Sequence, residues 1–364
     1  MSGPLAGLRL LELGGIGPGP HAAMMLADLG ADVVRVDRPS GGLKVGAGAA
    51  DWMQRNRRKV AADMKTEDGM ATMRALSDVA DVLIEGFRPG VAERLGLGPA
   101  DVHRTNPALI YARMTGWGQD GPWAKVAGHD INYIGLTGAL NAFQREGSGP
   151  VPPLNLVGDF GGGSMFLVLG ILSALYERQS SGQGQVVDAN IVDGTSTLAQ
   201  MVWGLLAGGA WVDQPASNLL DTGCPFYDTY RCSDGGYMAV GALEPQFYAE
   251  LISRLGLADE DLPKQGDRSG WPVLRARFTE LFASRTRDEW AKIFDGSDAC
   301  TTPVLSWGEA AQHPHLVGKG TLIEVDGVTQ AAPAPRFSRS TPATPTAPPA
   351  VETPLDEVLA SWRR

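Results

Sequence analysis

Apolar strands alternate with helices through the first third of the chain, and this alternation restricts the fold more than any other feature. Near-continuous apolar runs, expected of strands in a parallel sheet with both faces covered, occupy residues 8–13, 32–36, 81–84 and 108–114. Helices are predicted over residues 21–30 and 66–79. The pattern predicts an α/β protein with a large doubly wound parallel-sheet (Rossmann-like) domain, whose ligand binds at the carboxyl ends of the strands.

The remainder of the chain predicts a smaller α+β domain. A hairpin is expected over residues 227–231 and 236–240, followed by amphipathic helices near residues 246–255, 271–284 and 287–294. We therefore predict a large domain formed by residues 1–195 and 330–364, and a small domain at residues 224–315. Linker helices at residues 196–223 lead into the small domain, and a return linker at residues 316–329 leads out of it. Further helices are expected over residues 164–179, in the large domain, and 195–206, at the start of the linker helices. A strand is expected at 186–188 and a last helix at 355–362.

Composition excludes several classes of protein. The chain has 364 residues, enough for two domains, and a net charge of −10, which disfavours binding to nucleic acid or to an anionic membrane. Its first residues lack the charged and apolar regions of a signal peptide. Three widely spaced cysteines predict a reducing compartment, with neither disulfides nor a zinc site. We expect a cytoplasmic protein without a metal.

The glycine-rich loop at residues 14–20 lies where a dinucleotide fingerprint would lie, and Asp37 stands at the end of the second strand. Its glycines do not match G-x-G-x-x-G, and Pro18 and Pro20 remove backbone donors that a pyrophosphate would use. We therefore expect no NAD site, but a tight turn shaped for another ligand.

The densest basic cluster spans residues 55–59, Arg-Asn-Arg-Arg-Lys. A solvated loop is the plain interpretation of such a run. The alternative is a phosphorylated ligand, because further cations are assigned to loops at the same end of the sheet. These are Arg38, Lys65, Arg88 and Arg94.

A histidine and two carboxylates lie close together in sequence, in Gly128-His129-Asp130 and in Asp159, which precedes a triple glycine. Imidazole and carboxyl groups are suited to moving a proton near neutral pH. The alternative is that His129 is structural and that Asp159 is a turn residue or a helix N-cap. Glu244, before Pro245, reads by itself as a surface glutamate.

With these segments the chain resembles the family III CoA-transferase superfamily, and within it the bacterial α-methylacyl-CoA racemases. The resemblance extends over essentially the whole chain. Matching segments lie at residues 15–21, 26–34, 55–58, 85–90, 94–96 and 115–118, and the superfamily is marked by the stretches at 29–34 and 88–96. The racemase branch is indicated by His129, Asp130, Asp159 and Glu244.

The resemblance implies a set of site residues. His129 and Asp159 are the catalytic pair, Glu244 assists His129, and Asp130 contributes its backbone amide or orients a neighbour. CoA contacts are implied at Arg38, Ala62, Asp63, Met64, Lys65, Gly86, Phe87, Arg88, Arg94, Gly128, Ile131, Asn132 and Tyr133. The loop at residues 41–53 matches least well, which leaves the adenine-end contacts within residues 41–58 open.

The resemblance also implies an assembly and a reaction. The assembly is an interlocked homodimer, with each active site between the large domain of one subunit and the small domain of the other. The reaction is racemisation of 2-methylacyl-CoA thioesters in lipid breakdown, by proton transfer through an enolate, with no cofactor beyond the CoA of the substrate. The alternatives are CoA transfer through a mixed anhydride on Asp159 and acyl-CoA binding without catalysis.

Overall fold

The structure is a computed structural model and describes residues 2–39 and 50–363. Two compact units divide the chain. The first consists of Met1–Ala139, Pro153–Gln200 and Val317–Arg364, and the second of Leu140–Pro152 and Met201–Leu316. The helices α1–α15 are, in order, Pro18–Asp28, Glu67–Ser77, Val91–Arg94, Pro99–His103, Asp130–Leu136, Ala139–Ala142, Met165–Ser181, Ile191–Leu198, Gln200–Ala207, Pro245–Arg254, Trp271–Phe282, Arg287–Phe294, Trp307–Ala310, Pro314–Lys319 and Leu355–Trp362.

A six-stranded parallel sheet forms the centre of the first unit. Its strands β1–β6 are Arg9–Leu13, Asp32–Asp37, Arg57–Ala61, Val82–Glu85, Ile110–Thr115 and Val186–Asn190. They lie in the order β3-β2-β1-β4-β5-β6, the doubly wound order in which the direction of winding reverses beside β1. The predicted Rossmann-like sheet is confirmed.

Alternation along the strands builds a separate core on each face of this sheet. Leu10 and Val33 pack with α1 and α7 on one face. Leu11 and Val34 pack with α2 and α15 on the other. Both faces are therefore covered, which explains why the sequence of these strands is apolar at consecutive positions.

Strand β3 corrects the prediction for the basic cluster. Residues 57–61 pair in register with β2, from Val33 opposite Arg57 to Asp37 opposite Ala61. The segment is thus a strand and not a solvated loop. The strand was not predicted because its sequence is cationic, and in the fold carboxylates from other elements neutralise these side chains.

A nine-residue π-helical segment, Leu156–Ser164, leads directly into α7. The sequence predicted a loop at Asp159 and a helix from residue 164. π-Helical turns are rare and occur frequently at functional sites. Together the segment and α7, Leu156–Ser181, are long and apolar enough, by length and composition only, to span a membrane.

The second unit contains an antiparallel sheet of strands β7 (Tyr227–Arg231), β8 (Tyr237–Gly241) and β9 (Thr301–Val304), in the order β7-β8-β9. The predicted hairpin is confirmed, and β9 was not predicted. Helices α10, α11 and α12 lie within one or two residues of their predicted bounds. Residues 316–329, expected to be a linker, contain the end of α14 and most of a hairpin of β10 (Leu322–Val325) and β11 (Val328–Ala331).

Candidate active site

The π-helical segment presents Asp159 as a half-buried carboxylate. Asn155, at the start of the segment, donates a hydrogen bond from Nδ2 to Asp159 Oδ2 at 3.3 Å. Asp159 lies inside the helical segment, whose N-cap position is Asn155. The alternative of Asp159 as an N-cap is therefore wrong, and its carboxylate is not engaged in capping.

Asp130 fixes the backbone of this segment. It is buried, and its Oδ2 accepts a hydrogen bond from the Asp159 amide at 2.7 Å. A Cβ at Gly158 would lie 2.3 Å from the same oxygen, so only glycine permits this approach. The side chain of Asp130 thus orients a neighbour, which was one of the two roles left open for it.

The glycine-rich loop forms a wall beside the Asp159 carboxylate. Gly17 has a φ of 73°, and a Cβ there would lie 3.2 Å from Asp159 Oδ2. Helix α1 then begins at Pro18, three residues earlier than predicted. The two prolines in its first turn remove amide donors that would otherwise bind to a carboxylate so close to the helix start.

His129 lies immediately before α5 and is exposed. Its backbone amide donates to Asn132 Oδ1 at 3.0 Å, which fixes the start of the helix. Tyr133, one turn on, donates its hydroxyl to Gly128 O at 2.5 Å and packs edge-on against Trp117 with ring centroids 4.7 Å apart. The backbone around His129 is anchored, whereas its imidazole faces outward.

The charges of the site interact. Burial raises the pKa of Asp159, and the neighbouring Asp130 carboxylate raises it further, against the hydrogen bond from Asn155 and the charge of His129. Burial also raises the pKa of Asp130. The raised pKa of Tyr133 reflects its burial and then the charge of Asp159, and is opposed by Arg88. The charge of Asp159 thus affects Tyr133, and the charges of Asp130 and His129 affect Asp159, with burial the largest cause of the raised pKa at both Asp159 and Tyr133.

The implied CoA contacts come from loops at the carboxyl edge of the sheet. Arg38 follows β2, residues 62–65 follow β3, and residues 86–88 follow β4 directly. Because these strands are parallel neighbours or near neighbours, their carboxyl ends share one edge. Arg38, Lys65, Arg88 and Arg94 are exposed there, whereas Ala62 and Met64 are buried. The adenine-end contacts expected at residues 41–58 fall partly on residues 41–49, outside the described residues.

A buried glutamate orients the loop after β4. Glu85 is 1% exposed and accepts from the Phe87 amide at 2.6 Å and from Arg113 Nε at 2.9 Å. Sequence reasoning did not single it out. The available signal was a carboxylate at the end of an otherwise apolar strand, directly before Gly86.

The three arginines of the basic cluster at residues 55–59 pair with carboxylates of the fold, so the phosphorylated-ligand alternative rests on the other four cations. Arg55, 3% exposed, bonds to Asp28 at 2.5 Å. Arg57, 6% exposed, lies 3.2 Å from Glu12, and Arg58 bonds to Asp32 at 2.6 Å. These guanidinium groups neutralise carboxylates inside the fold and are unavailable to a phosphate.

Glu244 belongs to the second unit. It is exposed, at the N-cap position of α10, and its carbonyl accepts from the Tyr248 amide at 2.9 Å. Burial raises the pKa of Cys300, and the charge of Glu244 raises it further.

Within residues 2–39 and 50–363, no group of three or more histidine, cysteine, aspartate or glutamate side chains is arranged to hold a metal ion.

Comparisons with known proteins agree on one group. The sequence model of CoA-transferase family III matches residues 5–355. The chain is 48% identical to the α-methylacyl-CoA racemase of Mus musculus, over 94% of this chain and 88% of that protein. It is 47% identical to the racemase of Homo sapiens, over 88% and 82%. The crystal structure of a CAIB/BAIF family protein from Brucella suis superposes with a TM-score of 0.84 at 27% identity, over all of both chains.

Proposed function

The chain belongs to CoA-transferase family III, and we propose that it is an α-methylacyl-CoA racemase that interconverts the (2R) and (2S) forms of 2-methylacyl-CoA thioesters. One observation carries the proposal beyond the similarity to the mouse and human racemases. The backbone amide of the half-buried Asp159 donates to the side chain of Asp130, the residue next to His129, at 2.7 Å, which supports our assigning the exchange of a proton at one carbon to these two groups.

The chemistry requires an acid and a base on opposite faces of a carbon. A thioester acidifies the hydrogen next to its carbonyl, and inversion needs one group to remove that hydrogen while the other delivers a proton to the opposite face. His129 and Asp159 supply the two groups, each worth about 10²–10⁴-fold in rate. Because burial raises the pKa of Asp159, its carboxyl is suited to act as the acid in one direction and the base in the other.

The enolate intermediate needs hydrogen-bond donors at its oxygen. We assign this role to backbone amides at the start of α5, around Asp130. The first amides of a helix have no acceptor within the helix, and each donor to such an oxyanion contributes about 3–4 kcal/mol. The proposed oxyanion donors on α5 thus directly follow His129, whereas Asp159 comes from the π-helical segment.

Binding of the CoA part is assigned to the exposed cations at the carboxyl edge of the sheet. Arg38, Lys65, Arg88 and Arg94 are available there, and guanidinium groups are well suited to phosphate. We place the phosphate-binding loops and the acid–base pair in one continuous site; the charge of Arg88, which lowers the pKa of Tyr133 against the larger effects of burial and Asp159, supports this placement.

The homodimer is part of the proposal. Exposed apolar side chains lie along the π-helical segment and α7, at Leu156, Met165, Leu169 and Tyr176, and a second copy of the chain would bury them. Apolar patches of this kind mark interaction surfaces. In an interlocked dimer, Glu244 of one subunit would meet His129 of the other, which accounts for a catalytic glutamate in the second unit.

Deuterium incorporation tests the reaction. The enzyme is incubated with (2R)-2-methylacyl-CoA in deuterated water, and we expect deuterium at C2 together with formation of the (2S) form. The alternative is CoA transfer, which would require an acceptor acid and would leave an acyl group on Asp159 that hydroxylamine traps. Absence of label at C2, with trapping on Asp159, would replace the racemase by a transferase.

A further inference from the structure

The segment that carries Asp159 needs support from outside itself. Its nine residues include four glycines, and glycine has the largest loss of backbone freedom on folding. A π-helical register is also less favourable than an α-helical one and seldom extends beyond a single turn. Contacts from neighbouring elements must therefore determine where Asp159 points.

One such contact comes from His21 in the first turn of α1. Its ring stacks on Phe160, the residue after Asp159, with centroids 4.2 Å apart and planes inclined by 22°. His21 Nδ1 also lies 2.7 Å from Ser164 Oγ, at the end of the segment. A single side chain thus contacts the π-helical segment on both sides of its glycine run.

The hydrogen bonds fix the direction of donation. Ser164 Oγ donates to Phe160 O at 2.9 Å, so its one hydrogen is used and its oxygen accepts from His21 Nδ1–H. The chain of bonds runs from the imidazole through the hydroxyl to the carbonyl of the residue beside Asp159. Ser164 is fully buried, which excludes water from this connection.

The surroundings keep this imidazole uncharged at neutral pH. Burial lowers the pKa of His21 to about 4, and the charges of Arg55 and Arg57 contribute. A neutral ring neither competes with His129 for the Asp159 proton nor stabilises the Asp159 carboxylate. The contact is therefore geometric rather than electrostatic.

We propose that His21 is a positioning residue of the acid–base pair, which orients Asp159 by stacking on Phe160 and donating a hydrogen bond to Ser164. This inference rests on the proposed racemase function. It places His21 outside contact with the reacting carbon, so its loss affects the Asp159 face of that carbon and spares the His129 face.

Exchange at C2 without inversion distinguishes the two faces. In a two-base racemase, each enantiomer loses its hydrogen to one base, and a histidine can return solvent deuterium to the same face. We expect His21→Phe and Ser164→Ala to lower kcat about 10- to 100-fold, as for a displaced catalytic group, with KM changed less than about threefold. Exchange is then lost selectively from one enantiomer, the same enantiomer that Asp159→Asn affects.

The variants separate the two contacts of His21. His21→Phe keeps the stacking and removes the donor, whereas His21→Asn keeps a donor near the Nδ1 position and removes the stacking. If His21→Phe does not fold, Ser164→Ala and His21→Asn carry the test alone. The matched control is His103→Phe, since His103 is another half-buried histidine of the first unit, bonded to Leu109 O at 3.0 Å; it leaves the exchange pattern unchanged.

Two results would overturn the proposal, and they differ. If the wild-type enzyme exchanges both enantiomers and the variants lose both equally, His21 has only a structural role. If the wild-type enzyme exchanges neither, the racemase function fails, and the positioning role fails with it.

Discussion

The two groups of the proposed acid–base pair lie in contrasting surroundings. Asp159 is half-buried, and its amide, its carboxylate and its neighbours all contact other elements, through Asp130, Asn155 and Gly17. His129 is exposed, and the hydrogen bond that orients it involves its backbone amide and Asn132. Within one chain, therefore, both the backbone and the carboxyl group of Asp159 are held in place, whereas only the backbone of His129 is.

This contrast shows where the second subunit would act. A catalytic base works best when its side chain is oriented by a partner, and the residue implied for that task, Glu244, belongs to the other unit. If the proposed dimer forms, the Asp159 half of the site is complete within a subunit, and the His129 half is completed on assembly.

The largest expected effect comes from removing either group. Asp159→Asn and His129→Gln should each lower kcat for racemisation by about 10²–10⁴-fold, because each removes one partner of the proton transfer. Measured separately for the two enantiomers in deuterated water, exchange should survive for one enantiomer in Asp159→Asn. In His129→Gln, exchange of the other enantiomer should be slow. The remaining carboxyl returns the hydrogen that it removed unless solvent reaches it first.

Arg104→Gln serves as the control, because Arg104 pairs with Asp101 at the surface and contacts no part of the site. If both catalytic variants lose exchange from the same enantiomer, His129 and Asp159 do not act on opposite faces of the carbon. The contrast drawn here between the two groups would then have no catalytic meaning.

A smaller effect is expected at the wall beside Asp159. Gly17→Ala introduces a Cβ 3.2 Å from Asp159 Oδ2 at a φ of 73°, which costs about 1 kcal/mol or more in backbone strain. We expect kcat to fall about tenfold, with the loss again confined to the enantiomer that Asp159 serves. Gly96→Ala is the matched control, because Gly96 has a φ of 71° and open space around it, so it tests strain without contact. Equal activity of the two variants would mean that Gly17 does not shape the Asp159 pocket.

The sequence was sufficient for most strands of the sheet. Strands β1, β2, β4 and β5 are apolar on both faces, so local composition identifies them. His129 and Asp159 follow elements of the same sheet domain, so the sequence places them in one unit. Each of these strands is defined by residues close together in the chain.

Features that depend on distant residues were missed. Strand β3 is cationic, and it is a strand because Glu12 of β1 and Asp32 of β2 neutralise Arg57 and Arg58. The π-helical register likewise depends on a carboxylate, Asp130, some thirty residues away, whereas a local reading of three glycines predicts a loop. Charge pairing and packing between residues far apart in the chain cannot be recognised from a short stretch of sequence.

The smallest expected effect concerns stability, and it separates the two groups without any substrate. Burial raises the pKa of Asp159 in the folded protein, above the value of about 3.9 of an unfolded chain. The unfolded state therefore ionises more readily, and the carboxyl stabilises the fold below about pH 4 but destabilises it as the pH rises through the folded pKa. Asp159→Asn should raise Tm by about 1–3 °C at pH 8, and the gain should shrink to nothing near pH 4.

The control is Asp259→Asn, at an exposed carboxylate, which should leave Tm unchanged at both pH values. A Tm for Asp159→Asn that is lower than wild type at pH 8 would mean that the ionised carboxylate stabilises the fold, and Asp159 would then lack the desolvated setting that distinguishes it from His129.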